Sequence, residues 1–135
     1  MATDSDRQAF LKANRFCILG TLRRDGRARL SPMSYGYDDG KLYITTRATR
    51  AGALTAKRDP RVTVCCFNPD QRRPYVSVTG RAEIISDEAL FVNVQQLIRG
   101  RELSEDDVAK ERRRFADEGR VILRITPEEM FDSIR

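Results

Sequence analysis

The stretch YITTRATRAGALTAKRDPRV, residues Tyr43–Val62, decides the fold because a strand, a basic turn and a short helix follow one another in it. Its first residues are rich in β-branched side chains, which is typical of a strand. Thr49 is a suitable N-cap for a helix over about Arg50–Arg58. Pro60 ends this helix, because the residue before a proline avoids the helical region. The stretch therefore predicts a strand-to-helix junction with basic residues in its turn.

Two interpretations of this junction are open. A helix N-terminus carries unpaired N–H groups and a partial positive charge, so phosphates bind there readily. Arginine adds bidentate hydrogen bonds to phosphate oxygens, and small residues such as Ala51 and Gly52 permit close approach of a ligand. The other interpretation is an ordinary capped helix with solvated arginines. The residues by themselves favour that second interpretation.

Length and composition predict the class of protein. A chain of 135 residues is expected to form a single domain, residues 1–135, and 40% hydrophobic with 33% charged residues is typical of a globular protein. The N-terminal sequence MATDSDRQ is polar and acidic, so no signal peptide begins there. No apolar run approaches the roughly 20 residues of a membrane span. We expect a soluble, cytoplasmic protein with no membrane partner.

Histidine is absent, which excludes histidine-based triads and zinc sites of the HExxH type. The three cysteines are Cys17, Cys65 and Cys66. Neighbouring residues on a strand point to opposite faces, so the adjacent pair cannot share a metal. We predict three small buried hydrophobic residues and no metal site. Chemistry would then come from a cofactor or from carboxylate, Tyr, Lys or Cys side chains, and no catalytic residue is identified.

The net charge of +5 is spread over segments such as RRDGR and KRDPR, in which basic and acidic residues alternate. This pattern favours a mixed surface over a nucleic-acid-binding stripe. A modest positive excess still suits a small anionic ligand.

The remaining patterns predict an α+β protein with a barrel-like sheet of short, mostly antiparallel strands. A capping box at Ser5 begins the first helix, and Asp-Gly turns link the first three strands. Pro32 predicts an edge strand or a bulge, and Gly80 predicts a bulge. The predicted helices cover about 6–13, 50–58, 86–98 and 104–118, and the strands about 15–23, 27–38, 41–46, 61–67, 74–85 and 120–131.

Four segments together carry a family resemblance: GTLRRDGRARLSPMSYGYDDGKLYITT, TRAGALTAKRDPRVTV, YVSVTGRAEI and RVILRITPEEMF. They resemble the pyridoxamine 5'-phosphate oxidase-like superfamily of flavin and deazaflavin oxidoreductases. More narrowly, they resemble its actinobacterial branch of enzymes that depend on coenzyme F420. The resemblance covers about Ala9–Phe131. It implies a mainly β split barrel of the FMN-binding type with short flanking helices, which forms a homodimer with the cofactor between subunits.

The resemblance also implies site residues. The second barrel strand would lie beside the cofactor ring, the end of the third strand and the basic turn would hold its phosphate, and the fifth strand would supply an aromatic residue. In this order the implied residues are Ser31, Pro32 and Met33, then Thr45, Thr46, Arg47 and Arg50, then Tyr75.

One position departs from the pattern. Family members often have Arg-Ala-Lys in the turn, whereas this chain has Arg-Ala-Gly ending at Gly52. A lysine that commonly contacts phosphate is therefore missing. Arg47, Arg29 and Lys57 are the candidates to replace it.

These observations lead to one predicted function and two alternatives. The predicted function is an F420-dependent oxidoreductase that transfers hydride between the deazaflavin and an unidentified small organic acceptor. The first alternative is an oxidoreductase of the same fold that binds FMN. The second is a non-catalytic protein that binds a cofactor, haem or another tetrapyrrole. We expect a homodimer with a small-molecule substrate and no nucleic-acid partner.

Overall fold

The computed structural model describes residues 2–134 as one curled antiparallel sheet of seven strands with four helices. The predicted α+β, mainly β split barrel is confirmed. The helices are α1 (Asp4–Ala13), α2 (Ala51–Arg58), α3 (Glu88–Arg99) and α4 (Glu105–Glu118). The strands are β1 (Phe16–Leu22), β2 (Ala28–Ser34), β3 (Gly36–Asp38), β4 (Lys41–Arg47), β5 (Arg61–Phe67), β6 (Tyr75–Ile85) and β7 (Arg120–Asp132).

The strand order explains why the sheet curls into a half-barrel. The order is β2-β1-β5-β6-β7-β4-β3, so β2 and β3 occupy opposite edges. Only Tyr35 separates these two strands in the chain. The two edges must therefore lie close together, which a flat sheet of seven strands cannot achieve. Tyr35 is fully buried at this junction and its hydroxyl donates a hydrogen bond of 2.9 Å to the carbonyl of Leu11.

Several local predictions are confirmed. Gly26 and Gly40 have positive φ in the two Asp-Gly turns, as such turns require. Pro32 lies in edge strand β2. An edge strand has a neighbour on one side only, so it can accommodate a residue without an N–H group. The pairing of β6 with β7 shifts register between Thr79 and Gly80. A side chain at Gly80 would meet the carbonyl oxygen of Thr126 at 2.2 Å, so this crossing requires glycine.

Three local predictions are wrong. Thr3, not Ser5, caps α1, because its side chain and that of Asp6 exchange hydrogen bonds with each other's backbone N–H. The predicted second strand is two strands, since the chain crosses from one sheet edge to the other at Tyr35. Arg50, not Thr49, is the N-cap of α2.

The main core fills the inner face of the half-barrel. Its largest fully buried members include Leu19, Leu42, Ile44 and Ile125. A smaller cluster joins Phe91 and Val94 of α3 to Ile122 of β7, together with Phe115 of α4. This second cluster explains why consecutive residues of β7 are buried: one face meets the barrel core and the other is covered by helices. Among residues 2–134, no helix is long and apolar enough to cross a membrane.

Candidate functional site

A cavity of about 450 Å³ lies beside the junction between β4 and α2. Four strands and one helix contribute to it: β1, β2, β4, β7 and the first turn of α2. The lining residues are Leu19, Ser31, Met33, Thr45, Thr46, Arg50, Ala51, Gly52 and Arg120. The cavity thus has an apolar wall, three hydroxyl groups and two guanidinium groups.

The N-terminus of α2 opens into this cavity without a side-chain cap. Arg50 has extended backbone at the N-cap position, and no side chain bonds the N–H groups of the first turn. The first turn also contains no acidic residue. Ala51 and Gly52 line the cavity, so the unpaired N–H groups of a helix start lie at its wall. Such a helix start attracts anions.

The charges in the cavity have one sign. Arg50 and Arg120 are its ionisable lining residues, and the lining contains no aspartate or glutamate. Within residues 2–134, neither arginine has a carboxylate within 4.0 Å, although many other arginines of the chain do. Two guanidinium groups without an internal counter-ion, next to an uncapped helix start, fit an anionic group such as a phosphate.

The threonine hydroxyls differ in their surroundings. Thr45 donates its hydroxyl proton to Oε1 of Gln95 at 3.2 Å and accepts a hydrogen bond of 3.3 Å from Nη2 of Arg120. Its hydroxyl proton is therefore already used inside the protein. Thr46 is buried, with 8% of its surface exposed. The prediction that both threonines contact phosphate stays a prediction.

The structure brings five of the eight predicted site residues into one cavity. They are Ser31, Met33, Thr45, Thr46 and Arg50. Ser31 and Met33 pair with Leu19 and Cys17, two core residues of β1, which places their side chains on the inner face.

The other three lie elsewhere. Pro32 is exposed and pairs with Ile18, so strand alternation puts it on the outer face. Arg47 points to Glu118, with 3.6 Å between Nη2 and Oε2. Tyr75, at the start of β6, borders a separate cavity of about 430 Å³ next to Cys65 and Phe67. Within one chain, these three residues do not line the cavity that holds the others.

Arg120 is the charged residue that sequence reasoning missed. It is 70 residues from Arg50 along the chain, but β7 pairs with β4 and aligns Arg120 with Arg47. The sequence signal was weak: an arginine directly after Gly119, which ends α4 in the left-handed conformation. Only the strand pairing shows that this position borders the cavity.

The predicted replacements for the missing lysine do not line the cavity. Arg47 pairs with Glu118, Arg29 is exposed on β2, and Lys57 is exposed in the last turn of α2. At Gly52 itself, an added Cβ would meet only Cδ2 of Leu19, at an ordinary 3.8 Å. Glycine at this position is therefore not required by packing, and it leaves room in the cavity wall.

The thiols are poor nucleophiles in this fold. Burial raises the pKa of Cys17 to about 12 and also raises the pKa of Cys66. Cys65 is half-buried, and burial raises its pKa as well. Because the thiolate is the reactive form, these side chains act as small apolar residues of the sheet.

Comparison with known proteins agrees with this fold. The family model described as pyridoxamine 5'-phosphate oxidase matches residues 4–133. The chain belongs to this family, which includes oxidoreductases. Among proteins with curated functions, none matches the sequence.

Solved structures share the fold at low sequence identity. A conserved hypothetical protein, Rv2991 from Mycobacterium tuberculosis, is 23% identical with a TM-score of 0.83, over 98% of this chain and 84% of that chain. An F420 reductase is 23% identical with a TM-score of 0.70, over 92% and 94%. General Stress Protein 26 from Bacillus anthracis is 18% identical with a TM-score of 0.68, over 93% and 92%. At these identities the likeness shows the fold alone.

Proposed function

We propose that this protein is an F420-dependent oxidoreductase that acts on a small organic acceptor. One observation carries the proposal: a cavity of about 450 Å³ that joins an apolar wall to two arginines and an uncapped helix start. This combination suits a planar ring with a phosphate-bearing tail. Membership of the pyridoxamine 5'-phosphate oxidase family supports it, as does the fold shared with an F420 reductase.

The cofactor would supply hydride transfer at its ring, and the protein would supply binding and orientation. Arg50 and the N–H groups at the start of α2 would hold the phosphate. Leu19 and Met33 would pack against the ring and exclude water from one of its faces. Ser31 lines the same cavity, and its hydroxyl would hydrogen-bond a polar ring atom.

A binding titration of the purified protein tests this proposal. F420 and FMN are titrated in parallel, with the intrinsic fluorescence of each ligand as the signal. We expect saturable F420 binding with a lower dissociation constant than that of FMN. Turnover would then be sought by following F420 absorbance with a panel of electron-poor acceptors. Absence of binding by both ligands would overturn the proposal.

FMN is the second candidate cofactor, and the family description favours it, since the matching model is that of pyridoxamine 5'-phosphate oxidase. Arg112, Arg113 and Arg114 are relevant to the choice, because F420 carries an acidic tail that FMN lacks. Arg112 pairs with Glu88 at 3.4 Å and Arg114 pairs with Glu118 at 3.0 Å. Only Arg113 of the three has no carboxylate within 4.0 Å in the described part of the chain. Tighter binding of FMN than of F420 would assign the protein to the flavin-dependent members.

We also propose that the chain acts as a homodimer. The outer face of the sheet carries a groove of about 690 Å³ lined by residues of five strands. Leu30 is 68% exposed there, and Ile18 and Cys65 lie beside it. Exposed apolar surface of this kind is typical of a protein interface. A second copy that covers this groove would bury Leu30 and would border the outer-facing Pro32.

A further inference from the structure

Arg120 is in an unusual environment for an arginine. It is the first residue of β7 and its side chain is half-buried. Its guanidinium carbon lies 5.9 Å from the centre of the Phe91 ring. Nη2 donates to Thr45, but the Nε atom is buried and has no hydrogen-bond partner within residues 2–134. A buried donor of a charged group is costly to leave unpaired.

The acidic residues near Arg120 form ion pairs with other arginines. Glu118 pairs with Arg114 at 3.0 Å and with Arg47 at 3.6 Å. Glu111, which is 4% exposed, pairs with Arg99 at 2.5 Å. Burial, together with the charges of Arg114 and Arg47, lowers the pKa of Arg120, while Glu118 and Glu111 oppose the change. The guanidinium therefore lies in a region with an excess of positive charge.

A chain of hydrogen bonds fixes the position of this guanidinium. Arg120 donates to Thr45, Thr45 donates to Gln95 at 3.2 Å, and Gln95 donates to Glu111 at 3.1 Å. Gln95 and Glu111 are both buried between α3 and α4. The orientation of Arg120 thus depends on the packing of two helices, and the side chain cannot turn freely towards solvent.

The Arg120 side chain borders the cavity beside α2. Arg120 lines it from β7, and Arg50 and the start of α2 line it from another side. An anion in this space would accept hydrogen bonds from both guanidinium groups. It would also balance the excess positive charge.

We propose that Arg120 is a phosphate-binding residue of this cavity and that Thr45 is a positioning residue which orients it. The inference rests on the proposed function in assuming a phosphate-bearing cofactor. Arg50 and Arg120 together hold a phosphate ester, and Thr45 acts through its hydrogen bond to Arg120, because its own proton is donated to Gln95.

Matched ligand pairs test the assignment, because they isolate the phosphate. FMN is compared with riboflavin, and F420 with its deazaflavin chromophore lacking the phosphate-bearing tail. Fluorescence titrations use the wild type, Arg120→Gln and the control Arg113→Gln, an exposed arginine of α4 outside the cavity. We expect Arg120→Gln to weaken binding of the phosphate-bearing ligands roughly tenfold to hundredfold and to leave the phosphate-free ligands unchanged. Arg113→Gln should change neither FMN nor riboflavin binding.

Two further variants extend the test, and the first of them, Thr45→Val, keeps it informative if Arg120→Gln folds poorly. Thr45→Val removes the hydroxyl that orients Arg120, so we expect a smaller loss that is again confined to the phosphate-bearing ligands. Gly52→Lys in the Arg120→Gln background adds a cation at the same cavity, where a Cβ meets no close neighbour. It should restore part of the FMN affinity without a change for riboflavin.

The outcomes separate this inference from the proposed function. An equal loss of FMN and riboflavin affinity would show that Arg120 only supports the fold, and no loss for either would show that it does not contact phosphate. If the wild type binds neither cofactor, inorganic phosphate is the probe. Thermal stabilisation by phosphate that Arg120→Gln abolishes would retain the anion site and reject the cofactor. An identical response of both proteins to phosphate would overturn the inference.

Discussion

At the scale of single residues, two arginines that have no carboxylate within 4.0 Å in the described part of the chain line the same cavity. The chain is rich in arginine, and many of these side chains pair with carboxylates on the surface, where a pair contributes little to stability. Arg50 and Arg120 differ because they face one cavity from two elements. Charge that is unpaired at a concave, partly apolar surface indicates a ligand more strongly than charge on an open face.

Replacement of Arg50 by alanine should weaken cofactor binding by about 1.5–3 kcal/mol, because a charge-assisted hydrogen bond to phosphate is lost. Fluorescence titration with F420 and FMN measures the effect. Lys57→Ala is the matched control, since Lys57 lies on the same helix, is exposed and does not line the cavity. Unchanged affinity in Arg50→Ala would remove Arg50 from the site.

The three cysteines should differ in their rates of alkylation. The pKa of Cys17 rises from an ordinary 9.0 to about 12, which lowers its thiolate fraction at pH 8 by about a thousandfold. We expect slow labelling of Cys17 and Cys66, faster labelling of the half-buried Cys65, and rapid labelling of all three in urea. Mass spectrometry of digested protein gives the rates. Equal rates for the three thiols in the folded protein would contradict the buried positions.

At the scale of elements, the two ends of α2 have different roles. Its C-terminus follows ordinary rules, with basic residues in the last turn and a proline after Asp59. Its N-terminus lacks the side-chain cap that would normally satisfy the first N–H groups. The predicted cap, Thr49, lies one residue too early in the turn. A helix start without a side-chain cap is less stable than a capped one. It leaves the backbone N–H groups of the first turn available to a ligand.

Two glycine-to-alanine variants should have opposite effects on stability. Gly80→Ala forces a methyl group against the carbonyl of Thr126, so we expect a loss of about 1–3 kcal/mol in the free energy of unfolding. Gly52→Ala places a methyl group in ordinary contact within a helix, so we expect a gain of up to about 1 kcal/mol. Urea unfolding measures both. A stable Gly80→Ala protein would mean that the bulge between β6 and β7 adjusts easily.

At the scale of the whole molecule, the curled sheet separates two surfaces. The inner face carries the core, and the outer face carries the apolar groove around Leu30. The basic cavity lies apart from that groove, at the junction between β4 and α2. Strand alternation alone divides the neighbours Ser31 and Pro32 between these surfaces. The groove and the cavity share no lining residue, so substitutions can alter the two surfaces separately.

The proposed dimer should be visible by light scattering at micromolar protein concentration, with a mass twice that of the 15.5 kDa chain. Leu30→Glu should shift the mass towards the monomer, because it puts a charge into the proposed interface. Leu54→Glu is the control: Leu54 is 56% exposed but lies on α2, outside the groove. A monomeric wild-type protein would contradict the homodimer.

The sequence by itself determined most of the elements and the family. Strand alternation, Asp-Gly turns, Pro32 and Gly80 each act through local backbone geometry, so their consequences could be predicted from neighbouring residues. The ordered motifs identified the family that the matching family model shows. The family resemblance implied one cofactor site, and the structure brings five of its eight residues to one cavity: Ser31, Met33, Thr45, Thr46 and Arg50. Pro32, Arg47 and Tyr75 lie elsewhere.

Only the tertiary structure decided which charges share that cavity. The crossing at Tyr35 sends β3 to the far edge of the sheet, and the pairing of β4 with β7 brings Arg120 beside Thr45. The same packing directs Arg47 to Glu118 and away from the cavity. These contacts join residues 70 or more positions apart, so no local pattern encodes them. They depend on strand order and on the helices that cover β7, which is why the second arginine of the site appears only in the folded chain.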